Sequence, residues 1–166
     1  MSSLSTIGTY AFLRSMPASV VCKLDELTHL QDFPPGSAIF AEGTEHAELY
    51  LVLHGHVRLD MAVPKRGRIP LMTLGEGDLL GWSPLVGDCV MTSTATALDS
   101  VRTLTFRGSE LRRLCEQDHD VGYYVMRQVS EALSRRLVAT RLQLLDLFAD
   151  HVAAITADVQ QIDDQC

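Results

Sequence analysis

An α+β chain, mainly β, is what this sequence predicts: an eight-stranded antiparallel jelly roll or β-barrel with N-terminal helices and a long C-terminal helix. Three observations predict it. Between Ser37 and Phe106 short apolar runs alternate with turns at roughly 8–12-residue spacing, as the strands of a sandwich or barrel do. Upstream, Val20, Val21, Leu24 and Leu27 recur at the helical period. Downstream, the stretch from Tyr123 to Gln165 contains neither proline nor glycine.

Tyr10 to Met16 reads as a short helix stopped by Pro17. A second helix is predicted from Ala18 to Leu30, and Asp32-Phe33-Pro34-Pro35-Gly36 turns the chain after it. Ala38-Ile39-Phe40 forms a strand closed by Glu42-Gly43. Leu49 to Leu53 is a continuous apolar run, the pattern of a well-buried strand. Gly55 gives a tight turn, and Val57 to Met61 then alternates between faces. Pro64-Lys65-Arg66-Gly67 is a polar loop, Ile69 to Leu74 a strand, and Gly75-Glu76-Gly77-Asp78 another turn. Thr92 to Leu98 and Val101 to Phe106 form a last pair across Asp99-Ser100.

Ser109 is the predicted N-cap of a helix from Glu110 to Gln117 that buries Leu111 and Leu114. From about His119 a long helix carries Leu137, Leu144, Phe148, Val152, Ile155, Val159 and Ile162 at near-heptad spacing. Such a helix exposes an apolar stripe unless another surface covers it. A parallel homodimer through Leu137, Leu144, Phe148 and Ile155 supplies that cover; a helix folded back over the barrel is the alternative. The expected division is 1–117 for the N-terminal helices and barrel, and 118–166 for the long helix and acidic tail.

The chain has 166 residues, 46% of them hydrophobic, which suits one globular domain plus an appended element. Its net charge of −7 repels phosphate backbones, so direct DNA binding is not expected. No apolar run approaches the roughly 20 residues that span a bilayer. Met1 to Tyr10 lacks the charged-then-apolar order of a secretion signal. The expected compartment is the cytoplasm, with no membrane association. Cys22, Cys89, Cys115 and Cys166 form no C-x-x-C pair, so they read as reduced thiols and not as iron–sulfur ligands.

The ordered segments resemble the cyclic-nucleotide-binding domain of catabolite-activator and FNR-like regulators. Gly36-Ser37-Ala38-Ile39-Phe40-Ala41-Glu42-Gly43 resembles that family's G-x-x-I-F-x-x-G strand and turn. Tyr50-Leu51-Val52-Leu53-His54-Gly55-His56-Val57 resembles its Y-x-V-x-x-G-x-V hairpin. Gly75-Glu76-Gly77-Asp78-Leu79-Leu80-Gly81 resembles the approach to its phosphate-binding cassette. Arg135-Arg136-Leu137 fits the long helix of the bacterial regulators. The Gly81-Trp82-Ser83 turn and the stretch from Leu137 to Leu145 resemble a subgroup made of this domain alone, without a helix-turn-helix domain. The few acidic residues after Phe148 agree with that expectation, since a recognition helix is basic.

The resemblance implies a short cassette helix whose backbone N–H groups face a cyclic phosphate. It also implies a Glu on the ribose hydroxyl and an Arg on the phosphate, with a neighbouring Ser or Thr. Cyclic AMP or cyclic GMP is the implied ligand. The candidate site is therefore Gly81, Trp82, Ser83, Met91, Thr92 and Ser93, with Arg136 and Thr140 on the long helix placed to face the base and the partner subunit. The sequence departs from the pattern where it matters. Trp82 stands where the Glu belongs and Met91 near the Arg position, and no basic residue lies from Gly81 to Val101. Losing a charge-assisted bond to phosphate costs about 1.5–3 kcal/mol, or about tenfold to a hundredfold in affinity. Arg136, Arg141, Lys65, Arg66 and Arg68 are candidate substitute cations.

Other residues carry weaker signals. His54-Gly55-His56 resembles the H-x-H metal pair of cupin barrels, but no further His precedes His119, so no metal site is expected. Trp82 either stacks on a ligand or packs as a half-buried aromatic. Ser83 before Pro84 suits a helix N-cap. No nucleophile elbow or phosphate-binding loop is present, and an enzyme is not expected. Two functions follow: a ligand-sensing regulatory domain acting through dimer or partner contacts, or an adaptor whose degenerate pocket no longer binds cyclic nucleotide.

Overall fold

Eight strands form two four-stranded sheets, ordered β1-β8-β3-β6 and β2-β7-β4-β5. The structure is a computed structural model and describes Leu13 and residues 15–163, with side chains to residue 145. In chain order come α1 (Ala18–Asp25), β1 (Thr28–Phe33), β2 (Ala38–Phe40), β3 (Glu48–His54), β4 (Val57–Val63), β5 (Gly67–Leu74) and β6 (Leu79–Leu80). Then follow α2 (Ser83–Val86), β7 (Thr94–Ala97), β8 (Val101–Arg107), α3 (Gly108–Gln117) and α4 (His119–Asp163). By its internal contacts the chain divides into Met1–Ser130 and Glu131–Cys166.

The jelly roll is as predicted, but it is not a closed barrel. Among the described residues no strand ladder joins the two sheets. The reason lies in the edges: β6 has 2 residues and β2 has 3, too few to carry pairing around a corner. The sheets are held face to face by side chains instead. Phe33, Ile39, Phe40, Tyr50, Val52, Val57, Leu59, Leu80, Met91 and Val101 belong to one apolar cluster between them. Burial of this area is the main driving force for the fold.

β3 accounts for its uninterrupted apolar run. Tyr50 and Val52 enter the inter-sheet cluster, while Leu49 faces the helices with Leu24, Leu79, Leu85, Phe106, Leu111, Val125 and Val129. That second layer leaves no space for a water molecule. The strand is therefore buried on both faces.

Three predicted boundaries are corrected. The helix expected from Ala18 to Leu30 ends at Asp25, and Thr28 to Phe33 pairs residue for residue with Phe106 to Val101 of β8. A ladder along six residues outweighs one further helical turn that would bury only Leu27. Thr92 and Ser93 precede β7 and are not part of it. Ser109 is not the cap of α3, which starts at Gly108 with Arg107 in the extended cap position and no side-chain cap bond. The helix expected over Tyr10 to Met16 lies largely outside the described residues, although Leu13 is helical and buried.

β5 is an outer edge. It pairs with β4 alone, and Pro70 sits opposite Asp60 at a register shift between Leu59 and Asp60. No helix among the described residues is long and apolar enough to cross a membrane.

Candidate functional site

The candidate site is the turn from Gly81 to Ser93, held between β6 and β7. It begins at Gly81, whose φ of +70° is rarely open to a side chain. A Cβ there would stand 2.9 Å from the Glu48 carbonyl oxygen and 3.4 Å from the Phe40 and Tyr50 rings. Glycine is thus required twice over, by conformation and by space. The chain then enters α2, the cassette helix, as the family resemblance implies. Its bonds run from Leu85 N–H to the Trp82 carbonyl at 3.0 Å and from Gly87 N–H to the Ser83 carbonyl at 2.8 Å.

Ser83 is not the N-cap. Trp82 occupies that position in helical conformation, with no side-chain cap bond. Ser83 is buried at 5% exposure, and Trp82 is half-buried. Thr92 is exposed and Ser93 half-buried.

Met91 is 3% exposed and lies in the inter-sheet cluster. Its backbone is fixed on both sides. Met91 N–H donates to the Thr44 carbonyl at 3.0 Å, and Gly43 N–H donates to the Met91 carbonyl at 2.8 Å. The thioether fills space between the sheets, as methionine readily does.

The polar groups beside the turn include acids, threonine and two engaged arginines, Arg58 and Arg112. Thr94 Oγ1 accepts from Glu42 N–H at 3.0 Å, and a Glu42 carboxylate oxygen accepts from Ala62 N–H at 2.7 Å. Asp60, 3% exposed, pairs with Arg58 Nε at 2.9 Å. Behind Gly81, His46 Nε2 lies 2.7 Å from the Tyr50 hydroxyl, which donates to Glu48 at 3.0 Å. Burial holds the His46 imidazole below its usual value, against the opposing pull of Glu48. Burial, then the bond to Glu48, pushes the Tyr50 phenol far above its usual range.

Gly81, Trp82, Ser83, Met91, Thr92 and Ser93 all lie on the segment that joins β6 to β7, at its start and at its end. Arg136 and Thr140 belong to the second unit, where Thr140 Oγ1 donates to the Arg136 carbonyl of its own helix at 2.9 Å. Leu137 and Leu144 are exposed at 54% and 49%. The side chains of Phe148 and Ile155 lie outside the described residues. Lys65, Arg66 and Arg68 are exposed on the β4–β5 hairpin. His54 and His56 flank the β3–β4 turn, and His56 Nδ1 lies 2.7 Å from the Asp99 carboxylate. Among the described residues no group of His, Cys, Asp or Glu is arranged to hold a metal ion.

Two side chains at this site carried no sequence signal. His46 sits in a turn whose fold alone brings it to Tyr50. Arg112, on α3, reaches the cassette helix from a segment that reads as an ordinary amphipathic helix. A basic residue on the polar side of α3 gives no hint of its target until the topology is known.

Comparison with known proteins agrees with the geometry. Residues 30–118 match the sequence family described as the cyclic nucleotide-binding domain. The CRP-like cAMP-activated global transcriptional regulator of Mycobacterium tuberculosis is 29% identical over 146 residues, 87% of this chain and 63% of that protein. The chain thus spans under two thirds of that regulator's length. A protein of Geobacter metallireducens GS-15 has a crystal structure that matches with a TM-score of 0.72 at 28% identity, over 82% of this chain and 99% of that one. The catabolite activator protein of Thermus thermophilus matches with a TM-score of 0.67 at 25% identity, over 83% of this chain and 62% of that one. The glycine-led cassette turn, the two-sheet jelly roll and the matched residues lead to one conclusion: this chain belongs to the cyclic nucleotide-binding domain family.

Proposed function

We propose that this chain is a non-enzymatic, cytoplasmic regulatory domain that acts through protein contact along its C-terminal helix. In this reading its inter-sheet site does not hold a cyclic nucleotide by the family's usual ion pair. One observation carries the reading: Met91, near the position of the expected phosphate-binding Arg, is buried in the apolar cluster between the sheets. Two arginines beside the turn are already engaged, Arg58 with Asp60 and Arg112 with the Pro84, Leu85 and Gly87 carbonyls. Glu42 and Asp60 flank β7, and the turn itself contains no cation. A phosphate placed there would lose its hydration with no cation on the turn to replace it.

The output surface in this proposal is the helix beyond the jelly roll. Leu137, Val138, Leu142, Leu144 and Leu145 are exposed at 49–63%. Leu137 and Leu144 stand one heptad apart, the spacing by which two helices share a seam. A homodimer is the simplest use of that stripe, and a protein partner with its own amphipathic helix is the other. The proposed working division is the sensor-type fold over 1–117 and the contact helix over 118–166.

The test is a thermal-shift titration with cyclic AMP and cyclic GMP. A ligand at about 100 times its dissociation constant stabilises a fold by about 2.7 kcal/mol, a shift of several degrees. The expected result is no saturable shift with either nucleotide. A saturable shift would overturn this reading and support a second one, in which the domain senses a cyclic nucleotide. The intact cassette turn favours that second reading, since Gly81 and α2 keep the form the resemblance implies.

A further inference from the structure

We propose that Arg112 is the positioning residue of the cassette, a latch that fixes α2 on α3 by contacts internal to the chain. The guanidinium of Arg112 reaches three carbonyl oxygens of the cassette at once. Its Nη2 donates to Pro84 at 2.7 Å and to Gly87 at 3.4 Å, and its Nε donates to Leu85 at 3.2 Å. A helix of four residues cannot satisfy its own last carbonyls, because no later turn supplies N–H donors. Arginine meets that need better than any other side chain. Its planar fork presents several donors in fixed directions and keeps its charge at any working pH.

The position of Arg112 follows from the packing of α3. Gly108 lies four residues earlier and therefore on the same face of the helix. A Cβ on Gly108 would stand 2.3 Å from Pro84 Cβ. The two helices thus touch with no intervening side chain, and that close approach brings the Arg112 fork within reach of the cassette carbonyls. One face of α3 supplies both the contact and the latch.

The other end of α3 is tied as firmly. Asp118 accepts from Asp120 N–H at 3.1 Å and Val121 N–H at 3.2 Å, and it pairs with Lys23 of α1. A Cβ on Gly122 would stand 2.7 Å from the Cys115 carbonyl oxygen, so the start of α4 is seated on α3. A displacement of the cassette is passed to α3 through Arg112 and from α3 to the first turns of α4. This makes the latch a coupling element between the candidate site and the first turns of α4.

The test is residue-resolved amide hydrogen exchange on the full chain, comparing wild type with Arg112→Gln and Arg112→Lys. The reporters are the amides of Leu85, Val86 and Gly87, which close α2. In Arg112→Gln their exchange is expected to rise by about tenfold to a hundredfold, as loss of charge-assisted bonds implies. Amides in the β3–β8 ladder should keep their wild-type rates. Arg112→Lys, a point charge without the fork, should fall between the two. Wild-type rates at Leu85, Val86 and Gly87 in Arg112→Gln would overturn the proposal. So would an equal rise in the β3–β8 ladder, the sign of general destabilisation. Should Arg112→Gln not fold, Arg112→Lys decides alone: cassette amides at wild-type rates sink the latch. Failure here leaves the nucleotide titration untouched, because that experiment reads binding and this one reads cassette opening.

Discussion

Gly108 and Pro84 meet where α3 crosses the cassette helix, and there is no room between them for one more carbon atom. The separation available to a Cβ is 2.3 Å. Gly108→Ala must therefore push α2 and α3 apart. Overpacking of this kind costs about 1–3 kcal/mol, partly offset by the better helix propensity of alanine. Urea denaturation should show a lower midpoint with an unchanged slope. An unchanged midpoint would mean that the two helices separate freely.

Met91→Ala distinguishes a filled core from a ligand pocket. If Met91 packs between the sheets, truncation leaves a cavity and costs about 2–5 kcal/mol. If the thioether instead lines an open site, the cost stays well under that range. Chemical denaturation of the single variant measures it, and we expect the larger value.

His46 gives the protein a pH dependence near neutrality. Its folded value lies below the usual 6.5 because burial disfavours the charged ring. The folded state therefore binds fewer protons than the unfolded state in the window beneath 6.5. Stability falls as pH drops through 6.5 and stops falling on this account once pH is below the folded value. The melting temperature of wild type should decrease over that window. His46→Gln should flatten the decrease while keeping a hydrogen-bond partner for Tyr50. Equal slopes for both proteins would assign the dependence to other groups.

Leu137→Asp combined with Leu144→Asp should abolish self-association if the C-terminal helices pair along that seam. Sedimentation equilibrium reads the mass directly. The expected result is a dimer for wild type and a monomer for the double variant. A wild-type monomer would leave the exposed stripe to a different protein.

The sequence announced the strands whose side chains carry the pattern. Leu49 to Leu53 reads as buried because both neighbouring layers are apolar, and Val57 to Met61 alternates because one face meets the core. β1 and β6 were hidden for a different reason. In β1 the ladder to β8 is a backbone property, and Thr28, His29 and Leu30 leave little of their side chains to the core. In β6, two residues make too short a run to show any period. The cassette glycine is legible only through the family resemblance; the positive φ and close approach that demand it emerge from the fold. Ser83 and Ser109 do not cap their helices: Trp82 and Arg107 hold those positions, neither with a side-chain cap bond. Arg112 was invisible because its targets are carbonyl oxygens, which every residue possesses.

The outer edge of β5 has a consequence for how the molecule behaves in crowded solution. Lys65, Arg66 and Arg68 place positive charge along its hairpin. A second copy that tried to extend the sheet here would meet a like-charged border. Charge of one sign disfavours runaway strand stacking, the route to fibrils, along this rim.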